Sequence, residues 1–193
     1  YLALVVGLPL LAILAYFVFA FFLRDHIGGC PPACRDQDLT ARAMAQADFP
    51  GADLRAANLA RNNLTQTNFA NADLSFANLA GAELNATQLP SADLQNANLT
   101  GVTARSANFA SADLRGARLS DADVREATLH RARFDNTTNL LGALIEGVEF
   151  IQSTPNGLTP QLIYSTKSYQ DKRMRAVRFS ENDLSNWNFS DQD

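Results

Sequence analysis

Four aspartates stand twenty residues apart: Asp53, Asp73, Asp93 and Asp113, each between an alanine and a leucine. If the chain repeats with that period they form a column. Carboxylates stacked about 5 Å apart, the spacing of neighbouring strands, offer the oxygens that hard cations take. The same side chains suit a plainer task, because Asp and Asn accept nearby backbone N–H groups in tight turns. Asn fills the same place in the next column (Asn58, Asn78, Asn98). An amide cannot replace a carboxylate's charge, so the turn role is the expectation. His26, Cys30 and Cys34 make a second candidate ligand set, three groups with no fourth. Cys30 and Cys34 also enclose Pro31-Pro32-Ala33, a tight loop that a disulfide could close in an oxidising compartment. Arg105, Arg115, Arg118, Arg125, Arg131 and Arg133 crowd one stretch and could receive an acidic partner or lipid headgroups. Asp113, Asp121, Asp123 and Glu126 are interleaved with them, which favours a mixed solvated surface. Arg105, Arg115, Arg125 and Arg131, with Phe76 on an outward position, are the candidate partner contacts.

No constellation for catalysis accompanies these groups. The only histidines are His26 and His130. There is no Gly-rich phosphate loop and no Ser/His/Asp arrangement, so we expect no enzyme, no cofactor, no metal and no small-molecule substrate. A net charge of −4 over 193 residues makes nucleic acid a poor partner. Two cysteines exclude a disulfide-rich scaffold.

What positions the aspartates is a repeat. From Leu39 to Phe134 a large apolar residue stands at every fifth position, broken only by Ala104. From 47 to 132 the residue two before each centre is Ala at 14 of 18 sites, while Gln37 and Arg42 stand before the first two centres. A period of five fits neither a strand nor a helix, which would turn about 500° between centres. It fits a solenoid that turns a corner every five residues, with one small and one large side chain inward per side. Ala-Asp-Leu recurs at 52–54, 72–74, 92–94 and 112–114, and Ala-Asn-Leu at 57–59, 77–79 and 97–99. Twenty residues are four fives, so each coil has four sides. Phe49, Leu54, Leu59, Phe69, Leu74, Leu94, Phe109 and Leu114 are then core. Five coils make a rod about 24 Å long. Ala104, between Leu84 and Val124 in its column, is expected to leave a soft spot or small cavity.

The motif small–Asp/Asn–Leu/Phe–x–x resembles the pentapeptide-repeat family over residues 37–150 and again over 174–193. The resemblance implies an all-β fold, a right-handed quadrilateral β-helix. It also implies one function to weigh, since some members are DNA mimics that protect a topoisomerase. That role wants a strongly acidic rod. Residues 36–150 hold 14 Asp and Glu against 9 Arg, a net of −5.

Residues 1–23 contain no charge, and 21 of them are apolar. As a helix they would span about 34 Å, enough for a hydrocarbon core of about 30 Å, and the run exceeds the apolar core of a signal peptide. We expect one transmembrane α-helix over 1–24, preceding the β-helix, and a linker with the Cys pair over 25–36. Arg24 hints that the following residues are cytoplasmic and the Cys pair hints the reverse. The expectation leans to an extracytoplasmic rod.

After Phe134 the rhythm slips by one residue, so that Leu140, Ile145 and Phe150 become centres and DNTTN (135–139) a corner with one extra residue. Residues 151–173 break the pattern. Asn156-Gly157 marks a turn, and Thr159-Pro160 reads as an N-cap opening a short helix over 160–167. The insert is expected as a flap over the coil or a docking element, and it is similar to a segment of bacterial pentapeptide-repeat proteins. Centres return at Met174, Phe179, Leu184 and Phe189, and the repeats are expected to continue past Asp193. The whole reads as a non-catalytic bacterial subunit, anchored once in an inner or intracytoplasmic membrane. Its partners would be the membrane and other membrane-protein subunits, those of a photosynthetic or respiratory complex. A free-standing spacer is the alternative.

Overall fold

The structure is a computed structural model that describes residues 33–193. The expected transmembrane helix, His26 and Cys30 lie outside the described residues. Among the described residues no helix is long and apolar enough to cross a membrane.

From Ala33 the chain winds as a four-sided β-helix. Parallel bridges join residues twenty apart, and one coil carries four of them: Asp53 to Asp73, Asn58 to Asn78, Asn63 to Glu83 and Asn68 to Gln88. At nearly every corner the residue two after the centre has positive φ, as a type II turn requires, with Ala41 and Asn136 as exceptions. Gly fills some of these corners, but Ala56 (φ 55°), Arg61 (57°) and Phe76 (60°) take the same conformation. That costs each non-glycine corner about 1 kcal/mol. The stack tolerates it because every N–H of the side finds an acceptor. For residues 54–58, Leu54 N–H donates to Asp73 O (2.8 Å) and Ala56 N–H to Ser75 O (2.9 Å), both on the next coil. Asn58 N–H donates back to Gln37 O (2.8 Å), and Ala57 N–H closes the turn on Leu54 O (3.0 Å). The fifth, Arg55 N–H, goes to Asp53 Oδ1 (3.3 Å).

The core is narrow and continuous. Phe49, Leu54, Leu59, Phe69, Leu74, Leu94, Phe109 and Leu114 are buried, with the small-position alanines between them. Phe49 and Phe69 stack at 5.7 Å. Polar residues at small positions are buried too, and each has a partner. Asn62 donates to Leu39 O (2.7 Å), Thr67 to Met44 O (2.7 Å), Thr87 to Leu64 O (2.7 Å) and Thr138 to Leu114 O (3.0 Å). Each reaches the free lone pair of a centre carbonyl one coil earlier. Arg42 at a small position cannot be buried that way. It is only half-buried, and Ala43 makes no bridge, unlike Ala33, Asp38 and Asp48 in the same coil.

The backbone does not soften at Ala104. Leu84 N–H to Thr103 O and Ala104 N–H to Asp123 O are both 2.7 Å. The reason is two residues earlier, where buried Val102 takes a position that Ala holds in the coils on either side (Ala82, Ala122). Small and large have changed places on one side.

After Phe134 the register lengthens to 21 residues, Arg118 pairing with Asn139 and Asp123 with Leu144. The insert is not a flap. Its backbone forms the next wall, with Phe134 N–H on Asn156 O (2.7 Å), Gly142 N–H on Ser165 O (3.1 Å) and Lys167 N–H on Ala143 O (3.0 Å). The expected single helix is two: α1 (Pro160–Tyr164), capped by Thr159, and α2 (Lys167–Gln170), capped by Thr166. A helix end at Ser165 lets the chain turn the corner of the coil. Leu158, Leu162 and Ile163 are buried in place of repeat centres. The last coil returns through Phe179, stacked on Phe150 at 5.5 Å.

Two predictions follow from this packing. Gly157 has φ 95°, and an added Cβ would overlap the Phe134 carbonyl oxygen, whereas a Cβ at Gly51 meets nothing within 4 Å. Chemical denaturation will show Gly157→Ala losing about 2–4 kcal/mol and Gly51→Ala about 1 kcal/mol or less. Val102→Ala alone should cost about 1.5–2.5 kcal/mol, and Ala104→Leu in the same chain should recover much of it. A double-mutant cycle with no coupling would show that the two positions do not share volume.

Candidate interaction surface

The outward residues sort by side. On the side of Leu59, Leu79 and Leu99 the positions before and after each centre hold Asn58, Ala60, Asn78, Ala80, Asn98 and Thr100. The opposite side holds Asn68, Ala70, Gln88, Pro90, Asn108 and Ala110. Charge concentrates on the other two. Over residues 58–110 the first two sides carry no charge and are tied along the rod by amides: Asn98 donates to Asn78 (3.2 Å), Asn78 to Asn58 (3.1 Å) and Asn58 to Asp38 (3.4 Å). Across the rod, Asn108 donates to Gln88 (3.0 Å) and Asn68 to Asp48 (2.5 Å).

The column Asp53, Asp73, Asp93 and Asp113 lies along one charged side. Each carboxylate accepts the N–H two residues on, from Arg55 (3.3 Å), Ser75 (3.0 Å), Gln95 (2.9 Å) and Arg115 (3.3 Å). Among the described residues no cluster of His, Cys, Asp and Glu is arranged to hold a metal. Ion pairs complete the column. Arg55 meets Asp53 at 2.5 Å and Asp73 at 3.5 Å, while Arg115 and Arg133 meet Asp113 at 2.6 and 2.9 Å. On the other charged side Asp123 receives both Arg105 (2.7 Å) and Arg125 (2.8 Å). Burial works against ionisation of Asp123, but hydrogen bonds from Arg125 and Arg105 outweigh it and hold the carboxyl down to about 2. The Arg55 side chain does the same for Asp53, to about 2.

Three of the four candidate contact arginines, Arg105, Arg115 and Arg125, are therefore held by carboxylates of the rod itself. Arg131 instead donates to Gln152 Oε1. Phe76 stands on a corner and is 64% exposed; Leu141 (56%) is the other exposed large apolar residue among those described. His130 contacts Glu149 (2.8 Å). Cys34 is buried at a centre position of the Leu54 column and is disulfide-bonded.

Sequence reasoning missed Asp135, which makes the extra residue of the corner possible. Its Oδ1 accepts N–H groups from Gly116 (3.0 Å), Thr137 (3.0 Å) and Thr138 (2.9 Å). Gly116 would otherwise lose its ladder acceptor where the register changes. Burial opposes ionisation, yet the hydrogen bonds from Thr137, Gly116 and Thr138 bring the carboxyl down to about 2. The signal was present as an Asp opening the one corner of irregular length.

These carboxylates set the acid limit of the rod. Their folded pKa lies below the ordinary 3.8, so their stabilisation is whole above about pH 4 and is lost as pH falls through about 2. Circular dichroism against pH should show unfolding in that window. Asp135→Asn should weaken the dependence there and lower stability at pH 7 by about 1–2 kcal/mol.

The family model for pentapeptide repeats (8 copies) matches residues 43–75, 67–103 and 105–138. No curated protein shows significant similarity to the chain. Among solved structures, a pentapeptide repeat protein from the thylakoid lumen of Arabidopsis thaliana is 26% identical, aligning 60% of this chain with 69% of that one at TM-score 0.36. A pentapeptide repeat protein from Nostoc is 28% identical over 65% of this chain and 93% of that one, TM-score 0.31. QnrB1, a plasmid-mediated fluoroquinolone resistance protein, is 15% identical over 79% and 91%, TM-score 0.39. With the repeat model matched from 43 to 138 and every centre in that span buried inside a four-sided coil, this stretch of the chain is a pentapeptide-repeat solenoid.

Proposed function

We propose that this protein is a non-catalytic, membrane-anchored subunit of a bacterial membrane assembly, docked through its N-terminal apolar segment and braced by its rod. The observation that carries the reading is the charge-free run of residues 1–23, long enough to cross a bilayer, joined by a short Pro/Cys linker to a rigid solenoid. The disulfide at Cys34 supports placing the rod on an oxidising, extracytoplasmic side. The neutral amide sides support a docking role, because their polar groups are already satisfied within the rod and cost little to bury. Phe76, at the edge of one such side, is the natural anchor.

Mild-detergent extraction from native membranes, followed by native gel separation and mass spectrometry, should recover the protein in a complex well above the mass of a monomer. Phe76→Ser should shift it towards the free form. Recovery only as a monomer overturns the subunit reading and leaves the anchored spacer. A topoisomerase-protecting DNA mimic is disfavoured by the arginines paired along both charged sides. A gyrase-protection assay should accordingly show no effect.

A further inference from the structure

A groove of about 360 Å³ runs along the corner that follows the Phe109, Leu129 and Phe150 sides. It is lined by Ser111, His130, Arg131, Ile151, Gln152 and Glu181. The long side chains lean along the rod. Arg131 Nε donates to Gln152 Oε1, and Gln152 Nε2 donates to Glu181 Oε2. That relay holds a cation and an anion on either side of one amide without joining them in an ion pair. It leaves the two terminal NH2 groups of Arg131, Oε1 of Glu181 and the hydroxyl of Ser111 without a partner among the described residues. The nearby Glu149 does not compete for Arg131. Its two oxygens are taken by His130 (2.8 Å) and Arg178 (2.7 Å). Ile151 adds the groove's one large aliphatic wall.

We propose that this groove binds a small zwitterion of the α-amino-acid type. The carboxylate would lie on the guanidinium fork of Arg131, the geometry for which Arg is suited. The ammonium would lie on Glu181, and an aliphatic side chain on Ile151. A ligand carrying both charges a few bonds apart answers both groups. A simple anion would leave Glu181 facing it, and a simple cation would leave Arg131 so placed. The inference does not rest on the membrane-anchored reading.

The test is a titration of the ¹⁵N-labelled protein with L-leucine, N-acetyl-leucine and leucine amide, following the backbone amides of Ser111, Arg131 and Gln152. Leucine is expected to saturate these shifts with a dissociation constant of about 1 mM, at least about tenfold tighter than either blocked analogue. Arg131→Gln and Glu181→Gln should each weaken leucine about tenfold, while Arg55→Gln on another side of the rod should not. Both altered residues are exposed at corners, so circular dichroism of each variant should match the parent. Equal binding of the three compounds overturns the proposal, as does the lack of a saturable shift or the same affinity in the two variants.

Discussion

Each five-residue side of the rod has five peptide N–H groups, and the backbone can satisfy four of them. Two go up the stack, one goes down and one closes the corner. The fifth, on the residue after the centre, has no carbonyl within reach, and an unpaired buried donor is costly. The Asp or Asn before the centre supplies the missing acceptor, as Asp53 does for Arg55. At two sites where that position is not Asp or Asn, the chain finds another answer. Gln88 precedes Leu89, and the residue after it is Pro90, which has no N–H. Thr103 precedes Ala104, and Arg105 N–H turns to Asn85 Oδ1 on the coil before (3.2 Å). This hydrogen-bond arithmetic keeps the twenty-residue register, and the register in turn stacks every core residue on its equivalent.

The surface chemistry follows from the same register. Because equal positions lie above one another, a residue type repeated every twenty becomes a continuous line along the rod. Asn lines make neutral amide ladders on two opposite sides. Asp lines with like charges about 5 Å apart would repel, and Arg55, Arg115 and Arg133 are interleaved where they can bridge them. The charged sides are thereby largely neutralised within the rod. A partner would pair few of those charges, whereas the neutral sides and the corners remain open. Arg131 falls at a corner rather than between two aspartates, which is why its guanidinium stays available.

The fold was legible because the repeat is written at three levels: the small residue, the large residue and the Asx before it. Twenty-residue spacing of Ala-Asp-Leu identified four sides, and the slip after Phe134 located the lengthened corner. Reading failed where a residue acts across coils. Val102 compensates for Ala104 only because both point into one layer, and a column-by-column reading saw the lost methylenes and not those regained. The insert looked like an appendage because its sequence has no period of five. Its helices nevertheless carry the wall, since Gly142, Ala143 and Phe134 still needed partners on their open edge.

The sequence by itself determined the period, the number of sides, the inward and outward faces and the mild overall acidity. Each of these depends on residue type at a fixed interval, which a linear chain displays in full. Only the tertiary structure decided which charges meet. Arg105 is eighteen residues from Asp123, and Arg133 is twenty from Asp113. Whether such a pair closes depends on how side chains lean along the stack, a freedom the register leaves open. It was that leaning which brought Arg105 to Asp123 and Arg133 to Asp113, left Arg131 facing a groove, and set Asp135 against the N–H of Gly116.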